Sequence, residues 1–211
     1  MLLPHSREAL AALRVPSEAE PLRVLVSGCM IGLPCGVDGT DYGMAAALGN
    51  LLSLPTLKTV VFCPEHHGIG TPRTMPDIHG GDGFDVLDGR ARVLDEHGSD
   101  LTARMVLGAE AMLAFARQHE VELAILTDMS AACGSQVIAD GSRLVPDRRY
   151  RAGVGVATAL LLRSGVPVVS QRDHRTLGRI RSLLDAEFRP NEAALDHHEA
   201  AWYRSYFKPA G

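Results

Sequence analysis

The chain has 211 residues, 46% of them hydrophobic and 22% charged, which is enough to bury the core of one domain. A formal net charge of -4 and a pI near 6.1 exclude a general nucleic-acid binder, which would carry a basic stripe, and favour a small-molecule partner. No run reaches the roughly 18 apolar residues of a membrane span, and charges interrupt the N-terminus where a signal peptide needs an apolar stretch, so the expected setting is the cytoplasm without a membrane partner.

Residues 1–21 read as a peripheral segment, with a short helix from Ser6 to Leu13 and a polar connector from Pro16 to Pro21. Val24 to Val26 then predicts a strand that breaks at Ser27-Gly28 into a loop holding Cys29, Cys35 and Asp38. Gly43 to Leu54 is Ala/Leu-rich and predicts a helix stopped by Pro55. Thr59 to Phe62 is a second strand, and it ends at Cys63-Pro64-Glu65. From His66 to Gly83 there is neither helical nor alternating period, so this reads as a long loop folded over a site. Phe84 to Leu87 and Ala91 to Leu94, joined by Asp88-Gly89-Arg90, predict a hairpin.

Leu101 to His119 carries apolar residues at helical spacing and predicts the longest helix, capped by Ser99 or Asp100. Val121 to Leu126 is a third strand, followed by the loop that contains Cys133. Val137 to Arg149 reads as a polar excursion, Gly153 to Arg163 as a helix and Gly165 to Ser170 as a turn and strand. Helices are expected at Leu177 to Leu184 and Glu192 to Phe207, with His197 and His198 on a solvated face. Alternation of this kind predicts an α/β fold, a Rossmann-like three-layer sandwich with a mostly parallel sheet, spanning residues 22–170 with the C-terminal helices of 171–211 packed on it.

Four cysteines in such a chain point to metal binding or reactivity rather than to a disulfide framework. Cys29, Cys63 and Cys133 each follow a predicted strand closely, so three loops can bring three thiolates around one volume at the sheet edge where ligands collect. None sits in a Cys-x-x-Cys pair. Three thiolates suit zinc or an iron-sulfur centre and leave one coordination position open. Cys35 is either a nearby free thiol or a fourth ligand closing a structural zinc site.

The motifs Cys29-x-x-Gly32-x-x-Cys35-x-x-Asp38-Gly39, Cys63-Pro64-Glu65, Thr71-Pro72-Arg73 and Ser130-x-x-Cys133-Gly134-Ser135 occur in this order, followed by Ile138-x-Asp140-Gly141 and Gly153-Val154-x-Val156-Ala157. In this the chain resembles, over residues 22–170, a bacterial family known as a domain of unknown function whose characterised members are thiouracil desulfidases. The resemblance implies a [4Fe-4S] cluster on Cys29, Cys63 and Cys133, with one iron free of protein ligands. It further implies non-redox removal of sulfur from a thiolated pyrimidine or related thioamide, with Glu65 and Ser130 as the catalytic carboxylate and serine. Sulfur transfer in the opposite direction, or a structural or sensor site using zinc, is the alternative. The family commonly has Ser-Pro-Ser before the third cysteine where this chain has Ser130-Ala131-Ala132, a departure that bears on the loop's polar contacts and on substrate identity.

Further candidates for substrate binding are Asp38, Arg73 and His66. Each has a plainer reading: an Asp-Gly turn for Asp38, a structural salt bridge for Arg73 and a solvated loop position for His66, while the plainer reading of Glu65 is an ion pair with Arg73 or Arg151. The glycine clusters at 68–70 and 80–83 lack the Gly-Lys-Ser/Thr of a phosphate loop, so neither ATP nor NAD is expected. A homodimer is left open.

Overall fold

The computed structural model describes residues 3–44 and 46–207. In chain order, α1 (Pro4–Ala11) precedes β1 (Leu22–Ser27), and β2 (Leu57–Phe62) runs almost directly into α2 (Pro64–Gly68). Next come β3 (Asp77–His79), α3 (Gly83–Leu87), β4 (Arg92–Leu94), α4 (Thr102–Gln118) and β5 (Leu123–Leu126). The chain continues through β6 (Val137–Ala139), β7 (Tyr150–Ala152), α5 (Val156–Arg163), β8 (Val168–Ser170), α6 (His174–Leu184) and α7 (Ala201–Tyr206).

Strands β2-β1-β5-β8 form a parallel sheet in that order. Side chains alternate between its faces, as a pleated strand requires. Leu25, Val60, Ala124 and Leu126 face α4 and α5, packing with Met105, Met112 and Leu161. Leu22, Val24, Val26, Leu123 and Ile125 face the other way, with Leu48, Leu51 and, from α6, Ile180 and Leu184. Helices on both faces make the three-layer, Rossmann-like arrangement, and each fully buried Leu or Ile contributes about 1.5–3 kcal/mol. The register sets Ser27 beside Phe62 and Leu126 beside Ser170, so the strands finish at one edge. Two antiparallel pairs, β3-β4 and β6-β7, stand outside the sheet.

Two glycines bring α2 onto α4 at backbone distance. A Cβ on Gly68 would lie 2.0 Å from the Arg104 carbonyl oxygen, and one on Gly108 would lie 2.1 Å from that of Pro64. Among the described residues, no helix is long and apolar enough to cross a membrane.

Several expectations need correction. The helix expected over 43–54 is replaced by turns and a 3-10 turn at Gly49–Ser53, because Gly43 and Gly49 adopt φ of +68° and +55°; residue 45 lies outside the described residues. The long loop of 66–83 contains part of α2 and all of β3. The hairpin at 84–94 is α3 followed by β4, and β4 pairs with β3 instead. Asp82 caps α3 by accepting the N–H groups of Phe84 and Asp85, while the Asp85 carboxylate accepts the Asp82 N–H, and this capping box outweighs the Asp-Gly turn signal. The last expected helix is a 3-10 turn, His197–Glu199, followed by the short α7, with an extended Ala200 between them.

Candidate active site

Each thiol is delivered by a different loop at the sheet edge. Cys29 lies in the 3-10 turn Gly28–Ile31 directly after β1. Cys63 is the N-cap of α2, where Pro64 needs no hydrogen-bond acceptor and the His66 N–H donates to the Cys63 Sγ at 3.4 Å. Cys133 follows β5, in a loop closed by Ser130, whose Oγ accepts the N–H groups of Ala132 (3.1 Å) and Cys133 (3.0 Å). That cap survives the Ala131-Ala132 departure. All three, with Cys35, Glu65, Arg73, Ser130, Thr127, Tyr42 and Arg143, line one cavity of about 320 Å³.

Cys35 lines the same cavity, its carbonyl oxygen 3.9 Å from the Cys63 Sγ. Interaction among the thiols pushes Cys35 up and lowers Cys29, to about 7, and Cys63. The Thr127 hydroxyl, 3.0 Å from the Cys29 Sγ, adds to the lowering. Cys133 is pushed up by its burial. Two of the three predicted ligands are therefore biased toward thiolate, the form that binds metal. The thiols do not converge on one point: among the described residues, the trio of Cys, His, Asp or Glu ligand atoms lying within 4.8 Å of one another is Asp173, Asp196 and His198, away from this cavity.

Glu65 and Ser130 meet: the Ser130 hydroxyl donates to Glu65 Oε1 at 2.8 Å. Glu65 Oε2 takes a buried ion pair from Arg73 Nη2, so the plainer reading of these two residues is realised. Arg73 Nη1 donates in addition to the carbonyls of Cys35 (3.0 Å), Gly70 (3.1 Å) and Gly36 (3.3 Å) and to the Thr71 Oγ1 (3.1 Å). It thereby fastens the first cysteine loop to the second, while its Nε is buried with no hydrogen-bond partner among the described residues.

Asp38 and His66 do not join the cavity. The Asp38 carboxylate is exposed and accepts the N–H (2.9 Å) and hydroxyl (2.8 Å) of Thr40, an ordinary Asp turn that holds its pKa below the usual range. His66 contributes its main-chain N–H to Cys63, but its ring is exposed and meets the Thr71 hydroxyl at 2.9 Å.

Sequence reasoning missed three contributors. Tyr42 lies over Gly36, where a Cβ would come 2.8 Å from the ring. Arg143 pairs with the buried Asp77 at 2.6 Å and donates to the Met129 carbonyl at 2.9 Å. His197 is buried against Asp128 rather than solvated. Only Gly36, a loop position that tolerates no side chain, left a local signal.

The profile of a family described as 2-thiouracil desulfurase matches residues 24–173, which include all four cysteines. The uncharacterized protein YbbK of Bacillus subtilis (strain 168) is 34% identical over 151 residues, 71% of this chain and 96% of YbbK. The solved structure of the [4Fe-4S]-dependent thiouracil desulfidase TudS superposes with a TM-score of 0.63 at 31% identity, covering 77% of this chain and 99% of TudS.

Proposed function

Because the chain belongs to the 2-thiouracil desulfurase family, we propose that it hydrolyses the C=S bond of a thiolated pyrimidine or related thioamide to C=O, releasing hydrogen sulfide, with a [4Fe-4S] cluster held by Cys29, Cys63 and Cys133. The observation that carries this reading is the placement of three thiols from three strand-end loops around one cavity that also contains the hydrogen-bonded Glu65–Ser130 pair. The donor set fits the group: thiolates are the ligands of iron-sulfur centres, and three of them leave one iron open. When bound, such a cluster supplies a Lewis acid that polarises the thiocarbonyl.

The protein's own residues do the rest. Glu65, held by Ser130 on one oxygen and by Arg73 on the other, takes a proton from the water that attacks the thiocarbonyl carbon and returns it to the departing sulfur. Ser130 fixes the carboxylate's plane while its own oxygen holds the Cys133 loop. Arg73 keeps Glu65 compensated in a buried setting, where an unpaired carboxylate would be costly.

A four-cysteine zinc site draws support from the presence of Cys35 in the same cavity. Against it stands the spacing: Zn–S bonds of about 2.3 Å put tetrahedral sulfurs about 3.8 Å apart, tighter than the thiols here stand as a group. Anaerobic reconstitution with iron and sulfide tests both. The expected result is a broad brown absorption, loss of the thiocarbonyl band of 2-thiouracil and release of sulfide. A colourless protein that takes one zinc and leaves thiouracil intact overturns the reading.

A further inference from the structure

The family match stops at residue 173, yet the third cysteine loop is held from beyond that point. Asp128, 4% exposed, stands where β5 gives way to the loop carrying Ser130 and Cys133. Its Oδ1 accepts the N–H groups of Met129 (3.0 Å), Ser135 (2.9 Å), Gln136 (3.2 Å) and Val137 (3.3 Å), so one oxygen draws the two ends of the loop together. The other oxygen, Oδ2, lies 2.6 Å from Nδ1 of the buried His197.

The His197 ring is fixed in turn. It stacks on Trp202 with centroids 5.8 Å apart and planes 15° from parallel, and Tyr203 meets it edge-on at 5.7 Å. Its main-chain N–H donates to Asp173 at 3.1 Å, and Asp173 also accepts the Ser170 N–H at 3.0 Å and the Gln136 side-chain amide. One buried network thus runs from the C-terminal segment, past the end of β8, to both flanks of the Cys133 loop.

We propose that His197 is a positioning residue for the third thiol: by holding the Asp128 carboxylate in place it keeps the loop in the shape that lets Cys133 ligate and Ser130 reach Glu65. Without the imidazole, a carboxylate oxygen is left buried and unpaired, at a desolvation cost the loop can relieve only by opening toward water. Opening moves Ser130 and Cys133 together, because both lie between the amides that Asp128 gathers. The ligation half of the proposal rests on the cluster reading above; the loop-holding half does not.

The test compares the full-length wild type with His197→Ala and His197→Asn, the carboxamide of Asn being able to donate from the position of Nδ1. Hydrogen exchange of peptides covering residues 129–137 is measured on protein as isolated under air. It is expected to quicken about tenfold in His197→Ala, with peptides from β1 and β2 unchanged, and to return most of the way in His197→Asn. After anaerobic reconstitution, a chelator should bleach the visible absorption of His197→Ala faster by a similar factor, again rescued by Asn. Unchanged exchange at 129–137, or exchange that quickens uniformly along the chain, overturns the proposal. Quickened loop exchange with wild-type iron retention overturns the ligation half alone. A wild type that takes up no iron refutes the cluster reading, and the exchange result still decides whether His197 holds the loop.

Discussion

The ends of β2, β1 and β5 and the end of β8 lie side by side on one sheet edge, and they serve opposite purposes. The first three run into Cys63, Cys29 and Cys133, each thiol turned toward the shared cavity. The fourth runs into Gln171 and Asp173, whose side chains accept main-chain N–H groups of Asp128 (2.7 Å), Ser170 and His197. The Cys133 loop closes on itself through Ser130 and Asp128, but it relies on groups outside it to hold Asp128 in place. The neighbouring strand end supplies one of them, Gln171, so the reactive region and the bracing region are complementary halves of one edge.

The largest effect that could break this comparison comes from removing thiols singly. Cys133→Ala should lower reconstituted iron from about four per chain to background, whereas Cys35→Ala should keep it, as read by iron and sulfide analysis. A Cys35 variant devoid of iron would move that thiol into the ligand set. Next in size, Glu65→Gln should slow sulfide release by about 10²–10⁴-fold while iron content stays at the wild-type level. Parallel loss of iron would make Glu65 a structural partner of Arg73 and nothing more.

The smallest effect sharpens the bracing side. Burial pushes the Asp173 carboxyl up to about 6, so the folded chain binds that proton more tightly than the unfolded chain does. Its contribution to stability is therefore greatest below about pH 4, declines as pH rises through 6, and is level above. Relative to Asp173→Asn, the wild type should lose about 1–3 kcal/mol between pH 4 and pH 7 in urea unfolding. A difference that grows with pH would mean that the carboxylate is favoured by the fold.

The strands that carry the thiols were legible because runs such as Val24–Val26 and Thr59–Phe62 are short, apolar and ended abruptly by Gly or Pro. Glu65 and Ser130 could each be named through their motifs, whereas their meeting across 65 positions could not be read there. Local signals misled where two of them competed, as at α3, where Asp88-Gly89 looked like a hairpin turn and the Asp82–Asp85 cap prevailed. The Asp128–His197 pair spans 69 positions and belongs to no pattern a local window can hold, since both residue types are ordinary in loops. Asp38 shows the reverse case: its place in a matching motif suggested chemistry, while its position before Gly39 correctly indicated a turn.

The close backbone contact of α2 with α4 bears on how the pocket could be remodelled. With Gly68 and Gly108 leaving no room for a Cβ, the helix that begins at Cys63-Pro64-Glu65 has no intervening side chain through which its seat can be adjusted. Any residue larger than glycine at either position displaces Glu65 along with the second thiol. The part of the lining formed by Met75 and Pro76, in the segment before β3, contains no glycine. Directed evolution toward bulkier thioamides should therefore collect its productive substitutions there and leave the two glycines untouched.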